Sequence, residues 1–197
     1  IISCTQKNNA GADPVLIDTL KEFAANQYAF TDQSPMDVSY YPNEYPQQKM
    51  SNPSLQEKPV ARILYSRPHK KGRTIFSDDE KSLCPYGKPW RLGANEATEI
   101  EFFKPVVIDG KNISAGRYIL YCIPYKDKWI IAVNSNLYSW GLQIDRSKDL
   151  LVTEIPVQKQ SPAIEDFTIA FQSANYGADL IMKWDDVKAI LPITFSK

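Results

Sequence analysis

The sequence contains little of what metal sites and nucleophilic triads require. It has one histidine and three cysteines among 197 residues, and the cysteines show no CxxC spacing, so no metal site is predicted. A Ser-His-Asp triad would have to use His69, which lies in a basic turn, and no GxSxG motif is present. Phosphate-loop and dinucleotide-binding signatures are also missing. We therefore expect no metal, no cofactor and no catalytic residue of these kinds.

Other absences restrict the class of protein. Twenty-three basic residues balance 23 acidic ones, so no net charge attracts nucleic acid, and no nucleic-acid partner is expected. No apolar stretch approaches the roughly 20 residues that a membrane-spanning helix needs. With only 8 glycines and 14 prolines, the chain is not of the low-complexity type. What is abundant is apolar and aromatic residues, at 43% and 12%, as in a β-rich globular domain.

The first residues suggest where in the cell the protein is located. Ile1-Ile2-Ser3-Cys4 matches the end of a bacterial lipobox, in which Ile1 to Ser3 would be the stump of a signal peptide and Cys4 the lipid anchor. Residues 5–12 are polar and small, as expected of a tether. The alternative is an ordinary apolar tetrapeptide. We expect a protein of the bacterial cell envelope, on the periplasmic side or the cell surface, that contacts the membrane only through its lipid.

The chain after this tether divides into two parts. Asp13-Pro14 resembles a helix N-cap followed by proline at the first helical position, and residues 14–28 carry apolar side chains at helical spacing. Residues 13–33 are therefore predicted to be a short helical segment. Residues 34–197 are predicted to form one β domain.

The β domain is predicted from alternating apolar side chains. Residues 36–41 and 60–66 indicate strands, whereas residues 42–59 form a polar, proline-rich excursion. Residues 118–124 and 129–133 are apolar on both faces and predict a central hairpin buried on both sides. Further strands are expected from residues 98–103, 106–108, 150–157, 167–172, 180–184 and 187–195, with turns at Asp109-Gly110, Asn175-Tyr176-Gly177 and Asp185-Asp186. About nine strands joined by such turns predict a single antiparallel β-sandwich, of jelly-roll or immunoglobulin-like two-layer type.

Two cysteines remain once Cys4 is assigned to the anchor. Cys84 lies in a proline-containing loop and Cys122 in a predicted strand. They could pair in an oxidising compartment, but sequence does not place their α-carbons within about 7 Å of each other. We favour two separate, buried thiols.

Several ordered motifs resemble a known family. They are YSRP at residues 65–68, KGR at 71–73, PYG at 85–87 and WRLGANEAT at 90–98, followed by AGRY, IP, WG, EDFTI and KW at 115–118, 123–124, 140–141, 165–169 and 183–184. This series is similar to the bacterial domain-of-unknown-function family 2911, over roughly residues 34–195. The resemblance implies a secreted or lipoprotein context and a β-sandwich-like domain, and it implies no activity. The chain departs from the family in the excursion at residues 42–59 and in Cys84, where an aliphatic residue is more usual.

One segment is a candidate ligand site. Residues 77–97 lack strand alternation, and long ordered loops often carry function. The segment contains side chains able to stack on and hydrogen-bond a polar ligand: Tyr86, Trp90, Arg91, Asn95 and Glu96. The competing interpretation is structural, with Arg91 and Glu96 as a buried pair and Trp90 covering one end of the fold.

Two functions follow from these candidates. The first is a non-catalytic envelope domain that binds a glycan, a peptide or a partner protein through its loops. The second is an extracellular polysaccharide hydrolase or lyase that uses carboxylates near Glu96 and Glu165. We favour the first, because sequence locates no tuned proton-transfer pair. The oligomeric state is not predicted.

Overall fold

The structure is a computed structural model that describes residues 32–195. The predicted tether and the helix over residues 14–28 lie outside the described residues. The eleven strands are β1 Met36–Tyr41, β2 Ala61–Ser66, β3 Phe76–Ser77, β4 Cys84–Pro85, β5 Ala94–Phe102, β6 Val106–Ile108, β7 Lys111–Ile113, β8 Gly116–Pro124, β9 Lys128–Asn134, β10 Asp149–Ala174 and β11 Gly177–Phe195. One helix, α1, spans Tyr45–Ser51, and a 3-10 turn spans Arg146–Lys148.

Nine of the strands form one sheet in the order β1-β2-β5-β8-β9-β10-β11-β6-β7. The neighbours whose registers are known all run antiparallel. The short strands β3 and β4 pair with each other in parallel. The prediction of a mainly β, antiparallel fold is confirmed.

The central hairpin is also confirmed. β8 and β9 pair from Ile119 opposite Asn134 to Pro124 opposite Trp129. All residues from Ile119 to Pro124 are buried, as are those from Ile131 to Asn134. A strand covered on both faces has no reason to alternate, which is why this segment has an almost continuous apolar run.

The last two strands are longer than predicted. Residues 150–157 and 167–172 belong to one strand, β10, whose first part pairs with β9 and whose second part pairs with β11. The predicted turn at Asp185-Asp186 is wrong, because β11 runs through it. Asp185 adopts a left-handed φ of +52°, and short polar residues tolerate that conformation. It lies beside a register irregularity in the β10–β11 pairing, so it bends the strand instead of reversing it.

Aromatic contacts show that the sheet curves back on itself. Tyr65 on β2 meets Phe167 on β10 edge-on, with ring centroids 5.8 Å apart, and its hydroxyl accepts a 2.9 Å hydrogen bond from the Ile169 amide. Tyr41 on β1 packs against Phe171 and Phe195 at 6.1 and 5.0 Å. These strands are far apart in the sheet order, so the contacts enclose the apolar core between them.

The excursion at residues 42–59 contains a helix that sequence reasoning missed. α1 has proline at its first turn, where the missing N–H costs nothing. The following Gln47, Gln48, Lys49 and Met50 have good helix propensity. No helix in the described part is long and apolar enough to cross a bilayer.

Candidate functional site

Trp90 lies in an aromatic cluster inside the fold. We use that name for five side chains: Phe76, Trp90, Trp129, Phe167 and Trp184. The Trp90 ring lies 4.8 Å from Phe167, 5.6 Å from Trp184 and 5.9 Å from Trp129. Its side chain is only 9% exposed, and its indole N–H donates to the Gly93 carbonyl at 3.1 Å. Trp90 therefore packs in the core.

The backbone after Trp90 makes a tight turn. Trp90 exchanges backbone hydrogen bonds with Cys122 of β8, and Leu92 and Asn95 then adopt left-handed φ angles of +53° and +57°. A Cβ at Gly93 would lie 3.0 Å from the Ser66 carbonyl oxygen and 3.1 Å from the Thr98 hydroxyl. Only glycine allows this approach without displacing its neighbours. The close fit leaves Arg91 directed away from the core.

A second glycine brings a distant loop onto Arg91. Gly141 has a φ of +79°, and a Cβ there would lie 2.8 Å from Arg91 Cβ and 3.1 Å from Ala97 Cβ. The loop that carries it therefore lies directly on the Arg91 stem. One guanidinium nitrogen of Arg91 donates to the Trp140 carbonyl at 3.4 Å. Partial burial lowers the pKa of Arg91, and the charge of Glu96 partly opposes that shift.

Arg73 reaches the same region from another direction. Its guanidinium donates to the His69 carbonyl at 2.5 Å and to the Lys70 carbonyl at 3.1 Å. That stretch of backbone is itself fixed to β10, since the Lys70 amide donates to the Glu165 carbonyl at 2.8 Å. The His69 imidazole Nδ1 also contacts the Asp166 carboxylate. The turn around His69 is thus bound along a strand and holds Arg73 in position.

Arg73 and Arg91 line one cavity of about 310 Å³. We call it the arginine cleft and define it by six of its lining residues: Arg73, Leu83, Trp90, Arg91, Leu142 and Trp184. Leu83 and Leu142 are 39% and 73% exposed, whereas Trp184 is 1% exposed. Among residues 32–195, no aspartate or glutamate lines the cleft. The cleft therefore has an apolar wall and two positive charges.

The other predicted site residues do not converge there. Glu96 lines a separate, smaller pocket of about 220 Å³ beside Tyr65. Asn95 donates to the Ser34 carbonyl at 3.4 Å. Tyr86 lines neither cavity, and burial raises its pKa. Of the five candidates, the structure brings Trp90 and Arg91 to the arginine cleft.

The predicted buried pair of Arg91 and Glu96 is wrong. Glu96 is exposed, and within residues 32–195 no carboxylate lies within 4.0 Å of the Arg91 guanidinium. The left-handed turn at Asn95 separates the two residues, and each lines its own cavity. Among the described residues Arg91 therefore forms no ion pair, and Glu96 acts on it only through its more distant charge.

Glu165, the other carboxylate considered for catalysis, is occupied by hydrogen bonds within the fold. Its side chain accepts a 2.6 Å hydrogen bond from the Lys71 amide. Its backbone carbonyl accepts a 3.0 Å hydrogen bond from the Trp184 indole N–H. It lines neither the arginine cleft nor the pocket of Glu96. These contacts give Glu165 a structural role.

The two described cysteines are buried and not disulfide-bonded, as predicted. Burial raises the pKa of Cys84 and of Cys122, because a thiolate loses its hydration there. Cys84 lines the arginine cleft, but its thiol is held in the protonated form and is a poor nucleophile.

A second, larger cavity of about 630 Å³ has the opposite charge. Three carboxylates line it: Asp109, Glu154 and Asp179. Each already has a partner, since Thr153 donates to Asp109 at 2.8 Å, Lys128 pairs with Glu154 at 2.8 Å and Tyr176 donates to Asp179 at 2.5 Å. Within the described residues no cluster of three or more His, Cys, Asp or Glu side chains could hold a metal ion.

Comparison with protein families identifies the chain. Residues 46–193 match the model of a family described as a protein of unknown function, DUF2911. The chain belongs to the DUF2911 family. No curated protein and no solved structure matched it. The match confirms the predicted resemblance, and it includes α1 and most of the excursion before β2.

The DUF2911 motifs quoted from the sequence converge on the arginine cleft. KGR supplies Arg73, WRLGAN supplies Trp90 and Arg91, WG supplies Gly141, and KW supplies Trp184. Sequence reasoning missed Arg73 because its neighbouring charges resemble a solvated turn. A usable signal was present, since Arg73 and Gly141 both belong to motifs that carried the resemblance.

Proposed function

We propose that this DUF2911 chain is a non-catalytic ligand-binding domain of a bacterial cell-envelope lipoprotein, and that its ligand binds in the arginine cleft. The ligand would be a glycan, a peptide or an exposed group of a partner protein. One observation carries the proposal: two guanidinium groups line a 310 Å³ cavity to which no carboxylate of the described part of the chain contributes. Concave, mostly apolar cavities with a few convergent polar groups are the usual form of binding sites.

The arginine cleft is a better candidate for a binding site than the larger, acidic cavity, because its charged side chains lack partners of opposite charge among the described residues. Each carboxylate of the larger cavity is already satisfied by a hydroxyl or an ammonium. A ligand entering that cavity would have to displace those partners. Among the described residues, the guanidinium groups of Arg73 and Arg91 hydrogen-bond only to backbone carbonyls, so an anionic ligand could pair with them without displacing a carboxylate.

The alternative of a polysaccharide hydrolase or lyase has less support. Such catalysis needs two carboxyl groups about 5–10 Å apart across a substrate site. Glu96 and Glu165 line no common cavity among those described above, and Glu165 is occupied by the Lys71 amide. Release of reducing ends from an envelope polysaccharide, abolished by Glu96→Gln or Glu165→Gln, would favour the enzyme over the binding domain.

For the fold, we propose that the curved sheet forms a two-layer sandwich of the predicted kind. The contacts of Tyr41 and Tyr65 with β10 and β11 support this arrangement, since they join strands that are far apart in the sheet order.

For the address, we propose lipid attachment at Cys4, as the lipobox-like motif indicates. Full-length protein carrying Cys4→Ala, expressed in a bacterial host, should move from the detergent-phase fraction to the soluble fraction. Continued partitioning of this variant with lipid would contradict the anchor.

The binding proposal is tested with glycan and peptide arrays probed with the full chain. A true ligand should be lost in Leu142→Ser, which alters the wall of the cleft, and retained in Met50→Ser. Met50 is the matched control, because it is an equally exposed apolar side chain on α1. Array binding that survives Leu142→Ser and Arg91→Met would place the site elsewhere and contradict the proposal.

A further inference from the structure

The arginine cleft has features that specify the chemistry of its ligand. Resting on the binding function proposed above, we infer that the ligand carries a carboxylate or phosphate group bound jointly by Arg73 and Arg91, attached to a short apolar body. The inference depends on the hydrogen-bond donors of the two side chains, on their charge environment and on the wall of the cleft.

The first argument concerns donors. A guanidinium has five N–H groups. Arg73 uses its Nε and one terminal nitrogen on the carbonyls of Lys70 and His69, and Arg91 uses one terminal nitrogen on the Trp140 carbonyl. Each arginine therefore has a nitrogen with no acceptor among the described residues. A group with several anionic oxygens matches such paired donors better than a neutral amide or hydroxyl does.

The second argument concerns charge. Arg62, Arg67 and Arg117 each form an ion pair with a carboxylate. Within residues 32–195, neither Arg73 nor Arg91 does so. Because two positive charges line this one cavity, an anion bound there gains a favourable interaction with each of them.

The third argument concerns the wall. Leu83 and Leu142 leave apolar surface open to solvent beside the two arginines. The aromatic side chains of the cleft, Trp90 and Trp184, are buried and offer little face for stacking a sugar. A volume of about 310 Å³ is at the lower end for a small-molecule site. The cleft therefore fits a small amphipathic anion.

The test compares four matched probes with the full chain: hexanoate, hexyl phosphate, hexanamide and hexylamine. Binding is measured from the saturation of amide shifts in ¹H–¹⁵N spectra at millimolar concentrations. We expect both anions to bind at least roughly tenfold more tightly than the amide and the amine. Arg73→Met and Arg91→Met should each remove most of that preference, and amide dispersion in their ¹H–¹⁵N spectra that matches the unmodified chain shows that the variants fold.

Lys126→Met serves as the charge control, because Lys126 is exposed in the β8–β9 turn and does not line the cleft. It should bind the anions as the unmodified chain does. Equal binding of all four probes in the cleft, unaffected by the arginine substitutions, would overturn the anion inference and leave the binding function standing. Failure of all four probes to bind in the cleft would overturn the anion inference, whereas the array experiment above decides the binding function.

Discussion

At the level of single residues, the arginine cleft depends on a backbone position that only glycine can occupy. Gly141 combines a left-handed φ of +79° with a Cβ position that overlaps Arg91. The first property costs any L-residue about 1–2 kcal/mol. The second adds a packing cost, because Arg91 Cβ and Ala97 Cβ are both on rigid parts of the chain.

We expect Gly141→Ala to lower the free energy of unfolding by about 2–4 kcal/mol, combining strain and overpacking. Gly110→Ala is the matched control, since Gly110 has a φ of +70° and open space around its Cβ. That variant should lose only about 1–2 kcal/mol. Urea denaturation measures both, and equal losses would mean that the loop does not press on Arg91.

A second residue-scale prediction concerns Tyr65. Burial raises the pKa of Tyr65 from 10.0 to about 12. A raised pKa means that the folded state holds the phenol proton more tightly than the unfolded state does. The stabilisation is therefore complete below pH 10 and is lost as the pH rises from 10 towards 12.

Tyr65→Phe should remove this alkaline dependence, which amounts to about 2–3 kcal/mol between pH 10 and 12. At pH 7 the variant should be less stable by about 1–2 kcal/mol, because the Ile169 amide loses its acceptor. Tyr138→Phe, at an exposed position, is the control and should follow the unmodified chain. Parallel stability-against-pH curves for Tyr65→Phe and the unmodified chain would refute this account.

At the level of elements, the adjacent residues Trp90 and Arg91 have different roles, one in the core and one at the cleft. Trp90 is a core residue, and Arg91 points to a solvent-accessible cleft. We expect Trp90→Ala to cost about 3–5 kcal/mol of unfolding free energy and Arg91→Met to cost less than about 1 kcal/mol. Chemical denaturation of both variants checks this contrast. If Arg91→Met cost as much as Trp90→Ala, Arg91 would be a structural residue and the cleft would lose its basis.

Whether a strand could be predicted from sequence depends on which of its faces are buried. β8 and β9 were predicted almost to their ends, because burial on both faces leaves an apolar run with a polar turn between. The second part of β10 was predicted from Phe167, Ile169 and Phe171 alternating with wetter residues. Asp185-Asp186 misled the prediction, because a pair of aspartates is equally typical of a turn and of a bulge.

At the scale of the whole molecule, the cleft is built from segments that are distant in sequence. Arg73 follows β2, Arg91 precedes β5, and Leu142 lies between β9 and β10. Periodicity and turn chemistry describe each segment alone and contain no information on which segments meet. The sequence therefore predicted the class of fold and two residues of the cleft, whereas Arg73 and Leu142 required the folded chain.

The most direct test of the central claim is a crystal structure of the full chain with hexyl phosphate. The account predicts phosphate oxygens at hydrogen-bond distance, about 2.7–3.2 Å, from the guanidinium groups of both Arg73 and Arg91, with the alkyl chain against Leu142. Hexyl phosphate bound at another surface, with an empty arginine cleft, would contradict it.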